Sequence, residues 1–165
     1  MKTLKIFIAL LAISIGVAQA QIIKAEVQVS GLTCSMCSKA TEKSLRTLGF
    51  ISDIKPDLNR NLFVITFKPG VPVNLEQISK KVQGAGFFIN QLKATVDFDK
   101  VKVANNSFTL AGDTYQVVNG TAKDLNGQEQ VTVVNKGFVS SSAAKKYNSS
   151  AVSSTGSGKA YQIAI

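Results

Sequence analysis

The 165-residue chain contains no histidine and no tryptophan, only two cysteines, and 10 acidic residues against 19 lysines and arginines. Without histidine it has no imidazole general base, no Ser-His-Asp relay and no Cys/His zinc site within one chain. Long hydrophobic runs are almost as scarce. The one that stands out, Ile6 to Val17, is too short and poorly flanked for a stable membrane span. It follows the basic start Met1-Lys2-Thr3-Leu4-Lys5 and precedes the small-residue triplet Ala18-Gln19-Ala20, which is the layout of a secretory signal peptide. The sequence therefore predicts a signal over 1–20, export to the periplasm and a mature chain starting near Gln21. No cysteine lies at the cleavage point, so no lipid anchor is expected. With no second apolar segment of spanning length, the mature chain is expected to be soluble.

Removal of Lys2 and Lys5 leaves the chain strongly basic. An excess of base suits nucleic acid, an anionic membrane surface or an acidic protein partner, and it equally suits a solvated surface with spare lysines. Export makes nucleic acid the poorest fit of these.

From Gln21 to about Asp99 the elements alternate regularly. A strand from Ala25 to Ser30 leads through a loop into a helix over Met36 to Leu48, closed by Gly49. A strand over Phe50 to Lys55 turns through Pro56 to Asn61 into another over Leu62 to Phe67. Asn74 caps a second helix carrying Leu75, Ile78 and Val82, which ends at Gly84-Ala85-Gly86. A fourth strand covers Phe87 to Val96. The order is βαββαβ, an α+β, ferredoxin-like open-faced sandwich, with Thr41, Leu45 and Leu48 as the buried stripe of its first helix.

The pattern changes over 100–165. Leu110 to Asp113 and Lys123 to Gly127 read as turns among short β-prone runs at Thr114 to Val118, Gln130 to Val134, Gly137 to Ser140 and Ala160 to Ile165. Ser149 to Gly158 reads as a Ser/Gly-rich loop. This β-rich region of unassigned role is expected to be an antiparallel extension of the first sheet or a small barrel, and it contains no catalytic constellation. Asn-x-Ser/Thr triplets at Asn105, Asn119 and Asn148 are expected by chance. The division is thus 1–20, 21–99 and 100–165.

Both cysteines lie in Gly31-Leu32-Thr33-Cys34-Ser35-Met36-Cys37, between the first strand and the first helix. Two thiols at this spacing can converge on one soft metal ion or close a disulfide, and the gap also matches thioredoxin-like redox motifs. Ser35 and Met36 are not the intervening residues of such redox motifs, and the βαββαβ order is not their setting. A structural disulfide or an interaction module remains the third reading.

The segment resembles the Gly-Met-Thr-Cys-x-x-Cys signature of heavy-metal-associated domains, the βαββαβ modules of copper chaperones, copper-transporting ATPases and the periplasmic mercury-binding protein. Leu48-Gly49-Phe50 and Ala85-Gly86-Phe87 agree with it, and the resemblance runs from Ile23 to about Leu92. Leu32 stands where the family has its loop methionine, a swap of similar volume. Phe87 stands where the family often has tyrosine. The resemblance implies a non-enzymatic metal carrier with Cys34 and Cys37 as ligands. Two thiolates without histidine suit a digonal ion, Cu(I) first, with Hg(II) or Zn(II) as alternatives. Met36 is a candidate third, thioether ligand, against the commoner role of a hydrophobic contact. Both thiols are expected to ionise readily, Cys37 being near the helix N-terminus and beside Lys39 and Lys43. Lys39, Lys43 and Arg46 form a basic stripe by the loop, either a solvated face or a docking surface for an acidic metal donor or acceptor. The expected state is a monomer or a metal-bridged dimer, without nucleic acid.

Overall fold

A computed structural model describes residues 20–120, 125–147 and 158–165, except for the side chains of residues 99 and 100. The signal expected over 1–20, apart from Ala20, and most of the Ser/Gly-rich loop lie outside the described residues. The elements are β1 (Gln21–Ser30), α1 (Ser35–Leu45), β2 (Ile51–Asp57), β3 (Leu62–Phe67), α2 (Leu75–Gly84), β4 (Phe88–Val101), β5 (Ser107–Leu110), β6 (Asp113–Val117), β7 (Leu125–Val133), α3 (Ser141–Lys146) and β8 (Ala160–Ala164). The βαββαβ order stands, and the fold is ferredoxin-like with further strands attached.

All eight described strands form one open sheet in the order β2-β3-β1-β4-β7-β8-β6-β5. The C-terminal region therefore extends the first sheet and does not close into a barrel. It is not wholly antiparallel, because β8 runs antiparallel to β7 but parallel to β6. The crossover into β8 places that strand between two neighbours that precede it in sequence.

β1 begins four residues before the alternation shows it. A register shift between Ile22 and Lys24 inserts an extra residue, so the inward positions Ile22 and Ala25 fall out of phase. β2 runs through Pro56, which is tolerated because β2 is a sheet edge and needs no donor on its outer side. α1 stops at Leu45, earlier than Leu48. The amides of Thr47 and Leu48 bond back three residues, to Ser44 and Leu45, which tightens the last turn. β7 starts at Leu125 and includes Gly127, which was expected in a turn. Gly137 to Ser140 forms only isolated bridges at Lys136 and Val139, and α3 follows, a helix without a buried residue that the apolar pattern does not signal.

The two longer helices cover one face. Thr41 and Leu45 of α1 and Leu75, Ile78 and Val82 of α2 are buried against Ala25, Val27, Ile65 and Leu92 of the sheet. The same cluster continues without a break into the C-terminal region. There the rings of Phe98, Phe108, Tyr115, Tyr161 and Phe138 follow one another with centroids 5.2 to 5.9 Å apart. Burial pushes the Tyr115 and Tyr161 phenols well above the usual tyrosine range, so both stay neutral.

One core predicts one unfolding transition. All three tyrosines, Tyr115, Tyr147 and Tyr161, lie after β4 and there is no tryptophan, so intrinsic fluorescence reports the C-terminal region alone. Leu45→Ala, far from them in α1, should cost about 2–5 kcal/mol. It should shift the tyrosine-monitored urea midpoint together with the far-UV circular dichroism midpoint. A tyrosine transition that stays in place while the helical signal moves would show two independent cores.

Candidate metal centre

The loop from β1 to α1 is shaped by its first two residues. Gly31 has φ +87°, a left-handed conformation that strains any residue with a Cβ. The Phe87 ring lies 3.5 Å from where that Cβ would stand. Leu32 is buried in the core, as expected of the residue at the family's methionine position. With the chain reversed at Gly31 and pinned at Leu32, Thr33 and Cys34 are left exposed at the end of the sheet.

Cys34 is the N-cap of α1. Its backbone is extended, with φ −144° and ψ 155°, and its Sγ accepts the backbone N–H of Cys37 at 3.2 Å. Sulfur here does what a Ser or Asp oxygen usually does at this position. The Cys34 carbonyl accepts the Ser38 N–H at 3.2 Å, closing the first helical turn. Cys37 sits inside the helix, half-buried and packed against the core. Its carbonyl accepts the hydroxyl of the buried Thr41 at 3.1 Å. One thiol is thus held on a fixed helix and the other stands at its open end.

This geometry divides the electrostatics unequally. The Cys37 thiol and then the Cys37 backbone N–H, both donating to the Cys34 sulfur, hold the Cys34 thiol below its usual range. The hydrogen bond to Cys34, followed by burial, pushes the Cys37 thiol up. The expectation that both thiols ionise readily is therefore corrected. The free N–H groups of the helix end meet the sulfur of the capping residue, and that residue is Cys34, not Cys37.

Both cysteines are free thiols. Among the described residues no group of three or more Cys, His, Asp or Glu side chains converges to hold a metal. The pair thus offers two sulfurs, a donor set that suits a soft ion of low coordination number. Met36, expected as a hydrophobic contact or a third ligand, is 72% exposed. Phe87 is half-buried against the core, as expected of the aromatic beside the loop.

The basic stripe divides in two. Lys39 and Lys43 are exposed and make no ion pair among the described residues. Arg46 bonds to the Glu42 carboxylate and donates to the Ile54 carbonyl, each at 2.8 Å, bracing α1 against β2. Its charge is paired close by, with Glu42 and, at 3.9 Å, with Asp53. Sequence reasoning missed Phe88, which is 67% exposed and sits opposite Ser30 in the β1–β4 register. The strand period carries that signal: if Phe87 packs inward, its neighbour points out.

Residues 26–88 match the model of the heavy-metal-associated domain. This segment is a heavy-metal-associated domain. Among solved structures, a copper-binding domain from the P-type ATPase HMA7 is 29% identical, with 40% of this chain and 88% of that one covered at a TM-score of 0.36. The yeast copper transporter domain CCC2A is 24% identical, covering 41% of this chain and 90% of that one, also at 0.36. The N-terminal domain of the zinc(II) ATPase ZiaA is 20% identical, covering 42% and 96% at 0.36. No curated protein matches the chain.

The unequal thiols are open to a direct test. In the reduced, metal-free protein near pH 7, iodoacetamide should label Cys34 several-fold faster than Cys37, because the lowered thiol holds more thiolate and the raised one holds less. The difference should narrow as pH rises through the ordinary thiol range and Cys37 loses its proton. Peptide mapping reads both rates, and faster labelling of Cys37 at neutral pH would reverse the assignment.

Proposed function

We propose that this protein is an exported carrier that binds one soft heavy-metal ion, Cu(I) first, between Cys34 and Cys37 and hands it to a protein partner. The observation that carries this reading is the pairing of an exposed capping thiol with a helix-anchored one inside a heavy-metal-associated domain. Two thiolates satisfy Cu(I), whereas Zn(II) prefers four ligands and would have to take the rest from water or a second molecule. A two-ligand site on the surface favours transfer over storage, because an incoming thiol attacks the ion before either donor sulfur leaves. No catalytic role is assigned, and the expected address is the periplasm, from the signal layout of 1–20. The thiol–disulfide reading uses the same pair and is separated from this one by the first experiment below.

Reduced mature protein should bind one Cu(I), and Cys34→Ser or Cys37→Ser should each weaken it by more than about 100-fold, beyond what loss of an outer-sphere partner costs. Competition against a Cu(I) chelator measures this, and unchanged affinity in both variants would remove the assignment. Air-oxidised protein should lose metal but keep its far-UV spectrum. Rapid thiol–disulfide exchange with no Cu(I) binding would favour the redox reading.

The charges of α1 separate by role. Glutamate at Lys39 and Lys43 should slow Cu(I) transfer to an acidic acceptor domain several-fold at low salt, and the effect should fade near 1 M salt, where the screening length falls to about 3 Å. Arg46→Glu should instead lower thermal stability, because it breaks the brace to Glu42 and Ile54. Stopped-flow transfer and thermal melts distinguish the two. Equal transfer rates for wild type and the lysine double variant at low salt would make those lysines a solvated face only.

A further inference from the structure

The C-terminal region reaches the same end of the sheet as the cysteine loop. After β7 the chain passes beside the start of β4: Val139 bridges to Gln91, and the Ser140 N–H donates to the Asn90 carbonyl at 3.0 Å. The Ser79 hydroxyl donates to the Gly137 carbonyl at 3.1 Å, tying this crossing to α2. α3 then rises from Ser140, which caps it through its hydroxyl. Between these segments and the β4 start lies a groove of about 480 Å³. Ser30 and Phe88 line it on one side, and Lys136, Val139 and Ala144 on the other. Ser30 is the last residue of β1, so the groove opens directly beside Gly31 and the metal loop.

Two properties say what fits there. Phe88 is, after Met36, the most exposed large apolar side chain among the described residues, and it stands within the groove lining at the head of β4, where an apolar group of a partner can seat on it. The charged residue that lines the groove is Lys136, with no Asp or Glu lining it among the described residues, and Lys145 and Lys146 follow on the last turn of α3. We infer that this groove is a docking site for an acidic protein segment with an apolar anchor, which seats on Phe88 and places the metal-exchanging partner over Cys34 and Cys37. A second copy of this chain is a poor occupant, because a formal charge of +7, counted without Lys2 and Lys5, repels its own kind. A concave cleft with one aromatic side chain also suits a polypeptide better than a flat lipid surface.

This rests on the metal-transfer reading only for what the docking is for, and the test needs no metal. Reduced, metal-free, ¹⁵N-labelled protein is titrated with a synthetic peptide of alternating glutamate and leucine. Amide shifts should concentrate at Phe88 to Asn90 and from Lys136 to Ala144. Phe88→Ser should weaken binding at least about fivefold, as loss of a central anchor does. Lys136→Glu should weaken it about threefold at low salt and have no effect at high salt. Both positions are exposed, so neither change threatens the fold. Shifts centred elsewhere, or equal binding of a lysine–leucine peptide, would overturn the proposal. So would binding to phosphatidylglycerol–phosphatidylcholine vesicles that Phe88→Ser abolishes, which would assign the groove to a membrane. Failure of Cu(I) binding would leave these results standing, and the two readings therefore fail separately.

Discussion

β4 is the constraint on which the rest of the molecule depends. It is 14 residues long, and it pairs with β1 on one edge and with β7 on the other. A four-stranded βαββαβ sheet would leave that second edge open to water or to another chain. Here β7 takes it, and the inward side chains Leu92, Ala94, Val96 and Phe98 carry one core from the helices into the aromatic column. A boundary drawn at 99/100 therefore falls inside a strand. Among the described residues the C-terminal strands all belong to this one sheet, and their position relative to the cysteine loop is set by strand pairing.

The asymmetry of the thiol pair has a local origin, in the loop and the first turn of α1. A carrier has to hold its cargo and release it to an approaching thiol, and the two demands fall on different residues. Cys37 is fixed by the helix and by Thr41, whereas Cys34 belongs to the loop and owes its position to Gly31 and Leu32. The exposed, more acidic sulfur is the one an incoming group meets first. On the proposed function, exchange would start at Cys34 and finish at Cys37.

The βαββαβ half was readable because its signals are local: inward residues at helical or strand spacing, Asn74 as a cap and glycines after both helices. The N-cap bond of Asn74 to the Gln77 amide, at 3.1 Å, is the interaction its residue type announces. The cysteine loop was readable for the same reason, since Gly31, Leu32 and the cysteine spacing are contiguous. What failed was whatever depends on distant pairing. Nothing near Ala160 says that β8 inserts between β7 and β6. Gly137 to Ser140 is β-prone, but its partner is the start of β4, which offers only isolated bridges before α3 begins. Both thiols were expected to ionise alike because helix position alone does not tell which sulfur accepts the Cys37 amide.

Charge shows why spacing must be checked against partners. Lys39, Lys43 and Arg46 recur on one helix face, and by period alone they count as equals. Arg46 is planar and multidentate, so it can serve Glu42 and the Ile54 carbonyl together, with Asp53 at 3.9 Å. Its field is neutralised close by and contributes little to steering at a distance. The lysines have short-range freedom and long-range effect. Lys136, Lys145 and Lys146 come from the other half of the chain, on the crossing and helix that the pairing of β7 with β4 brings to the same end of the sheet as the cysteine loop. The basic character of that end is therefore a property of the shared sheet, which brings together charges separated by about a hundred residues of sequence, a separation that loop entropy penalises only logarithmically.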